Sequence, residues 1–145
     1  LLNVTFDPGC DGEAARYAFD DEGTPAERVH LIRNGLLLRP LGGASSQART
    51  GLPGTASARA CDWDRPPIDR MANLNIEPGR GSLAELVAGI ERGVLMDTNR
   101  SWSIDDSRNK FQFGCELGRL IEDGELRGVV RNPNYRGISA TFWRR

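Results

Sequence analysis

Apolar and polar positions change rhythm along the chain, and the rhythm predicts the elements. Leu2-Asn3-Val4-Thr5-Phe6 reads as extended and closes on Asp7-Pro8-Gly9, a turn signal. Val29-His30-Leu31-Ile32 and Leu36-Leu37-Leu38 flank Arg33-Asn34-Gly35. Asn-Gly tolerates the positive φ angles of a tight hairpin, so a hairpin is predicted there. Leu83, Leu86, Val87 and Ile90 recur at helical spacing. With Ser82 as N-cap, Glu85 completing a capping box and Gly93 as the stop, the spacing predicts a helix over 82–93 that packs this face on a sheet. Further on, Phe111, Phe113, Cys115 and Leu117 alternate with Gln112, Gly114 and Glu116, the period of a half-buried strand. Glu122-Asp123-Gly124-Glu125 turns it, and Leu126 through Val130 return. The fold class expected is α+β: mostly antiparallel sheet with hairpins and one well-defined helix.

Residues 40–67 break the rhythm. Pro40, Gly42-Gly43, Ser45-Ser46, Gly51, Pro53-Gly54 and Pro66-Pro67 punctuate them, so they read as a long loop or a partly mobile insertion. The flanking pieces are each too small to stand alone, and 1–145 is expected to be a single domain. The chain opens Leu1-Leu2 without methionine and ends Phe142-Trp143-Arg144-Arg145 after a strand-like run, which reads as a segment of a longer polypeptide.

Composition adds mostly exclusions. Apolar residues make up 39 %, enough for a thin core. A net charge of −1 gives no long-range field toward nucleic acid or anionic lipid, so neither partner is expected. The basic residues are arginines except for Lys110, scattered among acids. No apolar run approaches the roughly 18–20 residues that cross a bilayer. Three cysteines, Cys10, Cys61 and Cys115, lie more than fifty residues apart, which fits reduced thiols in a cytoplasm.

Candidate chemistry is sparse. His30 is the single histidine, no Cys-x-x-Cys pair occurs, and Gly79-Arg80-Gly81 lacks the rest of a phosphate loop. Asp20-Asp21-Glu22 places three acids before Gly23 in a predicted turn. They could form a cation site, act as acid/base carboxylates, or be a solvated turn. Adjacent acids repel unless a cation, an arginine or backbone donors compensate them, and Arg70 is the candidate arginine. From residue types and spacing alone, no catalyst is disclosed.

The order of the pieces is more informative. Phe19-Asp20-Asp21-Glu22-Gly23-Thr24-Pro25, Leu31-Ile32-Arg33-Asn34-Gly35, and Arg70-Met71-Ala72-Asn73 with Glu77-Pro78-Gly79 resemble the C-terminal half of the TldD/PmbA family. The helix from Ser82, Ile104-Asp105, Phe111-Gln112-Phe113-Gly114 and Leu120-Ile121-Glu122-Asp123-Gly124 follow in the family's order. Asp20-Asp21-Glu22-Gly23 and Arg70-Met71 look more like the metal-binding TldD type than the PmbA/TldE type, whose acidic turn usually reads Asp-Ser-Glu-Gly.

The resemblance implies a zinc metallopeptidase working as a TldD/TldE-type pair, homo- or heterodimeric, that cleaves unfolded peptides held extended between subunits. It implies zinc for the whole protein, but the family's His-Glu-x-x-x-His helix lies upstream of these motifs and its cysteine ligand downstream. Cys115 stands where the family usually has a small or aliphatic residue, so no ligand role is carried onto it. Arg100-Ser101-Trp102-Ser103 replaces a more glycine-rich stretch. The chain alone is therefore expected to be non-catalytic and to hold no metal, with Asp20, Asp21, Glu22 and Arg70 positioning substrate. The alternative is a non-catalytic TldE/PmbA-like scaffold subunit that completes the cleft. An unrelated sheet-forming interaction module is the third reading.

Overall fold

A computed structural model describes residues 1–144. It is mostly antiparallel sheet with three short helices, an α+β fold as the sequence pattern predicts. The chain divides into two compact units, residues 1–79 and the residues from Arg80 onward.

The first unit is built on a four-stranded antiparallel sheet. Strand β1 (Val4–Phe6) lies in its interior, between β2 (Val29–Arg33) and β6 (Leu74–Ile76), and β2 pairs with β3 (Leu36–Leu37). Thr5 and Phe6 are completely buried because β1 has a neighbour on each side. The β2–β3 turn is the predicted one: Asn34 (φ 52°) and Gly35 (φ 77°) are both left-handed, the backbone that matches the twist of a two-residue hairpin. Asn3 locks this turn by accepting the Asn34 N–H at 2.6 Å on its side-chain oxygen.

Residues 40–67 depart from the expected loop. They carry helix α1 (Ala44–Thr50), closed by Gly51 in the left-handed region (φ 69°), and strand β4 (Ala58–Arg59), which pairs with β5 (Ile68–Asp69). Between helix and strand, Gly54-Thr55-Ala56-Ser57-Ala58 is a run of five buried residues. No hydropathy pattern marks such a run, because it is buried through small side chains rather than large apolar ones. A Cβ on Gly54 would stand 2.0 Å from the Gly42 carbonyl oxygen, so the two backbones approach at a distance only glycine permits.

In the second unit, strands β7 (Arg92–Ile104) and β8 (Lys110–Glu122) form a hairpin of thirteen residues per arm. On its other edge β8 is shared by two shorter strands: β9 (Glu125–Val130) along its C-terminal half and β10 (Asn134–Ile138) along its N-terminal half. The predicted alternation holds in β8, where Phe111 is buried, Phe113, Cys115 and Leu117 are half-buried, and Gln112 and Glu116 are exposed. Its turn also holds, with Asp123 (φ 49°) and Gly124 (φ 78°) left-handed. Phe111 centres an aromatic cluster with Phe113, Tyr135, Phe142 and Trp143, ring centroids 5.1–6.0 Å away. Phe142 belongs to α3 (Ser139–Phe142), which follows β10 directly.

The predicted helix 82–93 is corrected at its end and on its face. Helix α2 spans Leu83–Ala88, begins in the expected capping box and has Gly89 as its C-cap. Ser82 Oγ accepts the Glu85 N–H at 3.2 Å and Glu85 Oε2 accepts the Ser82 N–H at 2.6 Å. Gly93 is not the stop; it lies in β7, paired with Ile121. The Glu91 carbonyl accepts the Asp123 N–H and that of Ile90 accepts the Gly124 N–H, which ties the link between α2 and β7 to the β8–β9 turn. Of the predicted stripe only Val87 is buried, while Leu83 and Leu86 are 58 % and 65 % exposed.

Candidate functional site

The acidic turn is assembled by its own carboxylates. Phe19 and Pro25 bridge antiparallel, and Gly23 (φ 79°) closes the turn between them. Asp20, 7 % exposed, accepts the Glu22 and Thr24 N–H groups on Oδ1 (3.0 and 2.9 Å). Its Oδ2 accepts the Ala58 N–H at 3.1 Å, which ties the turn to β4. A buried carboxylate is tolerated only when such donors replace water, and here three backbone N–H groups do so.

Asp21 and Glu22 reach in different directions. The Asp21 N–H donates to the Ala58 carbonyl, and Asp21 Oδ2 accepts the Ala60 N–H at 2.7 Å, so β4 is edged by the turn. Glu22 instead caps α1, accepting the Ala44 N–H at 2.6 Å and the Ser45 hydroxyl at 2.7 Å. Asp69 joins it from β5, accepting the Gly43 N–H at 2.7 Å and the Ser46 hydroxyl. The Ser46 hydroxyl and then the Gly43 N–H hold the Asp69 carboxyl below the usual carboxylate range.

Above this turn lies a cavity of about 110 Å³, lined by Tyr17, Phe19, Asp20, Asp21, Ser57, Ala58, Arg59, Arg70 and Met71. Three of the four residues proposed from sequence, Asp20, Asp21 and Arg70, therefore converge; Glu22 does not line the cavity. The expected arginine–carboxylate pair is absent, since Arg70 forms no ion pair among the described residues. Backbone donors compensate the acids instead. Arg70 is held by its own main chain, its N–H donating to the Ser57 carbonyl at 2.8 Å. Arg59 donates from Nη2 to the Met71 carbonyl at 3.1 Å. Tyr17 donates its hydroxyl to the Ala56 carbonyl at 2.7 Å, and burial, then the Asp20 charge, raises its pKa. Tyr17, Ser57, Ala58 and Arg59 escaped the sequence reading. Tyr17 and Phe19 stand two residues apart, the spacing that places both on one side of an extended segment, and this was the available signal.

All 145 residues match the sequence model of the PmbA/TldA metallopeptidase C-terminal domain. The chain belongs to that family. Among curated relatives, a metalloprotease of Methanothermobacter thermautotrophicus is 33 % identical over 94 % of this chain and 30 % of its own length. A zinc metalloprotease TldD homolog of Saccharolobus solfataricus is 31 % identical over 94 % of this chain and 31 % of its own. TldE of Thermococcus kodakarensis has the same fold, with a TM-score of 0.72 at 24 % identity, over 94 % of this chain and 31 % of that one. The chain thus spans about a third of the length of the relatives it matches.

Family membership raises the question of a metal, and the residues of this PmbA/TldA domain do not fit one. Among the described residues no three His, Cys, Asp or Glu side chains group as metal ligands. His30 lies on β2 opposite Thr5, and Cys10, Cys61 and Cys115 are free thiols on separate segments. Of the acids nearest one another, Asp20 and Glu22 have both oxygens engaged and Asp21 has one, by backbone N–H groups and the Ser45 hydroxyl. No helix of the described residues is long and apolar enough to cross a membrane.

Proposed function

We propose that this chain forms a wall of the peptide-binding cleft of a cytoplasmic TldD-type zinc metallopeptidase. The metal and its ligands lie outside these 145 residues. The observation that carries the reading is the convergence of two motifs fifty residues apart, Phe19-Asp20-Asp21 and Arg70-Met71, on one cavity. Hydrogen bonds to Ser57 and Ala58 bring both motifs there, and their meeting at a cavity supports a shared role in binding substrate. In this reading the substrate is an unfolded peptide held extended, and a TldD/TldE-type partner subunit closes the cleft.

Within the cleft the chain's residues bind and orient rather than react. Asp20 is a fixed anchor that holds the turn against β4, and Phe19 and Met71 (61 % and 58 % exposed) offer apolar surface beside it. Orientation of this kind matters because a misplacement of about 1 Å can cost roughly a hundredfold in rate.

The test uses the complete, assembled enzyme. Asp21→Asn and Arg70→Met are expected to lower kcat/KM for peptide cleavage at least about tenfold, with folding and zinc content unchanged. Full activity in both variants overturns the cleft reading. Metal analysis of the 145-residue chain alone is expected to find no tightly held zinc; one zinc per chain would place the metal site here.

A further inference from the structure

The hydrogen-bonding capacity left over in the cavity is one-sided. Its acceptors are mostly engaged: Asp20 receives three backbone N–H groups, Asp21 Oδ2 receives one and leaves Oδ1 over, and the Ser57 and Ala58 carbonyls receive those of Arg70 and Asp21. Its donors are not. A guanidinium carries five N–H donors. Arg59 uses one, on the Met71 carbonyl, and the Arg70 side chain uses none among the described residues. Neither arginine forms an ion pair there, although two carboxylates line the same cavity. Two guanidiniums with most of their donors unused, beside a single unengaged carboxylate oxygen, leave donors in excess and favour an acceptor ligand, and the fork geometry matches a carboxylate best.

Size and lining narrow the ligand further. A cavity of about 110 Å³ is smaller than the roughly 150 Å³ that takes a benzene ring, so it suits one short side chain or chain terminus rather than an aromatic residue. Phe19 and Met71 flank it with apolar surface that would cover the methylenes of such a group.

We infer that the Arg59/Arg70 cavity is a carboxylate subsite, which takes the anionic group of a bound peptide and so favours acidic substrates at this position. The inference rests on the cavity being part of the peptide cleft. Asp20 sets the floor and leaves the charge preference to the arginines. Arg59 and Arg70 determine specificity here and take no part in bond breaking.

The experiment is a calorimetric titration of the complete, assembled enzyme, stripped of zinc so that no probe is cut. Four probes are used: acetyl-Ala-Glu-Ala-amide, its Gln and Leu counterparts, and acetyl-Ala-Ala-Leu with a free terminal carboxylate. The Glu peptide is expected to bind at least about tenfold more tightly than the Gln peptide. Arg70→Gln and Arg59→Gln should each reduce that ratio, and Arg70→Lys should retain part of it, because a point charge survives without the fork. Tight binding of the free-terminus probe alone would identify the carboxylate as a peptide C-terminus; tight binding of the Glu probe alone would identify it as a side chain. Equal binding of Glu and Gln peptides, no binding of any probe, or an unchanged ratio in both Arg→Gln variants overturns the inference. Cleavage by the assembled enzyme is read separately. Glu-selective binding in a protein that cuts no peptide would leave the subsite standing and remove the cleft reading.

Discussion

The two units reach stability by different means. In the unit from Arg80 onward, two strands of thirteen residues pair along nearly their full length, and an aromatic cluster seals one end. In residues 1–79 no strand exceeds five residues, and β3, β4 and β5 have two each. Ladders that short leave most backbone groups without a strand partner, and side chains take over the task. Asp20, Asp21, Glu22, Asp69 and Asn73 together accept backbone N–H groups from five other positions outside their own turn or strand. The difference teaches that the acidic residues of the first unit are mainly structural connectors. The cavity they border is shaped by those connections, with charge compensation as a by-product.

The sharpest way to break the comparison is to remove one connector and one aromatic. Asp20→Ala leaves three N–H groups without their acceptor, one of them the buried Ala58 amide, and should cost about 3–5 kcal/mol. Phe111→Ala should cost a similar ~3–5 kcal/mol through lost packing. The signatures should differ: Asp20→Asn, which keeps one acceptor oxygen, should recover part of the loss, whereas Phe111→Leu should recover most of its own. Chemical denaturation monitored at both units checks this. A harmless Asp20→Ala would mean the turn is held by something other than its carboxylate.

Smaller effects sharpen the picture of α2. Val87→Ala should cost roughly 1–3 kcal/mol, because Val87 alone of the stripe is buried. Ser82→Ala should cost about 1 kcal/mol by removing the capping box. Leu86→Ala should stay within about 0.5 kcal/mol, as for an exposed position. A denaturation midpoint that moves more for Leu86 than for Val87 would show that this face is covered in solution.

The smallest expected effect is in pH dependence. The carboxyls of Asp69 and Glu77 are held below their ordinary values, Asp69 first by the Ser46 hydroxyl and Glu77 first by the Thr5 hydroxyl. The unfolded chain therefore takes up these protons first as pH falls. Their stabilisation is present above the unfolded carboxylate range of about 4 and is lost as pH drops through the lower folded values. Asp69→Asn should flatten that acid limb in the first unit and leave the limb of the second unchanged, where Asp105 is lowered by the Lys110 N–H. Thermal melts between pH 3 and pH 6 (a window set by that range) test it, and identical acid limbs with and without Asp69 would count against the tether.

Some of this was legible without coordinates. Asn34-Gly35 and Asp123-Gly124 specify their turns, Ser82 with Glu85 specifies its cap, and the alternation of Phe111 to Leu117 specifies a half-buried strand. Each is a local matter: the φ angles, the cap hydrogen bonds and the side-chain period are set within a few residues. The family's motifs, read in order, identified the chain for the same reason, since they are short local words.

Other features were decided only by the tertiary structure. Gly54 to Ala58 are buried because Gly42, Tyr17, Asp20 and Arg70 come to them from thirteen to thirty-nine residues away, and small polar residues carry no hydropathy signal that announces such a partner. Helix α2 stops at Ala88 because the residues from Arg92 onward are claimed by pairing with β8 as strand β7. Helical periodicity, a property of one segment, cannot register that competition. The acids of the turn found backbone N–H groups rather than Arg70, two from the turn itself and those of Ala44, Ala58 and Ala60 from segments folded against it, because a nearby amide already in place costs less order than a flexible arginine must give up.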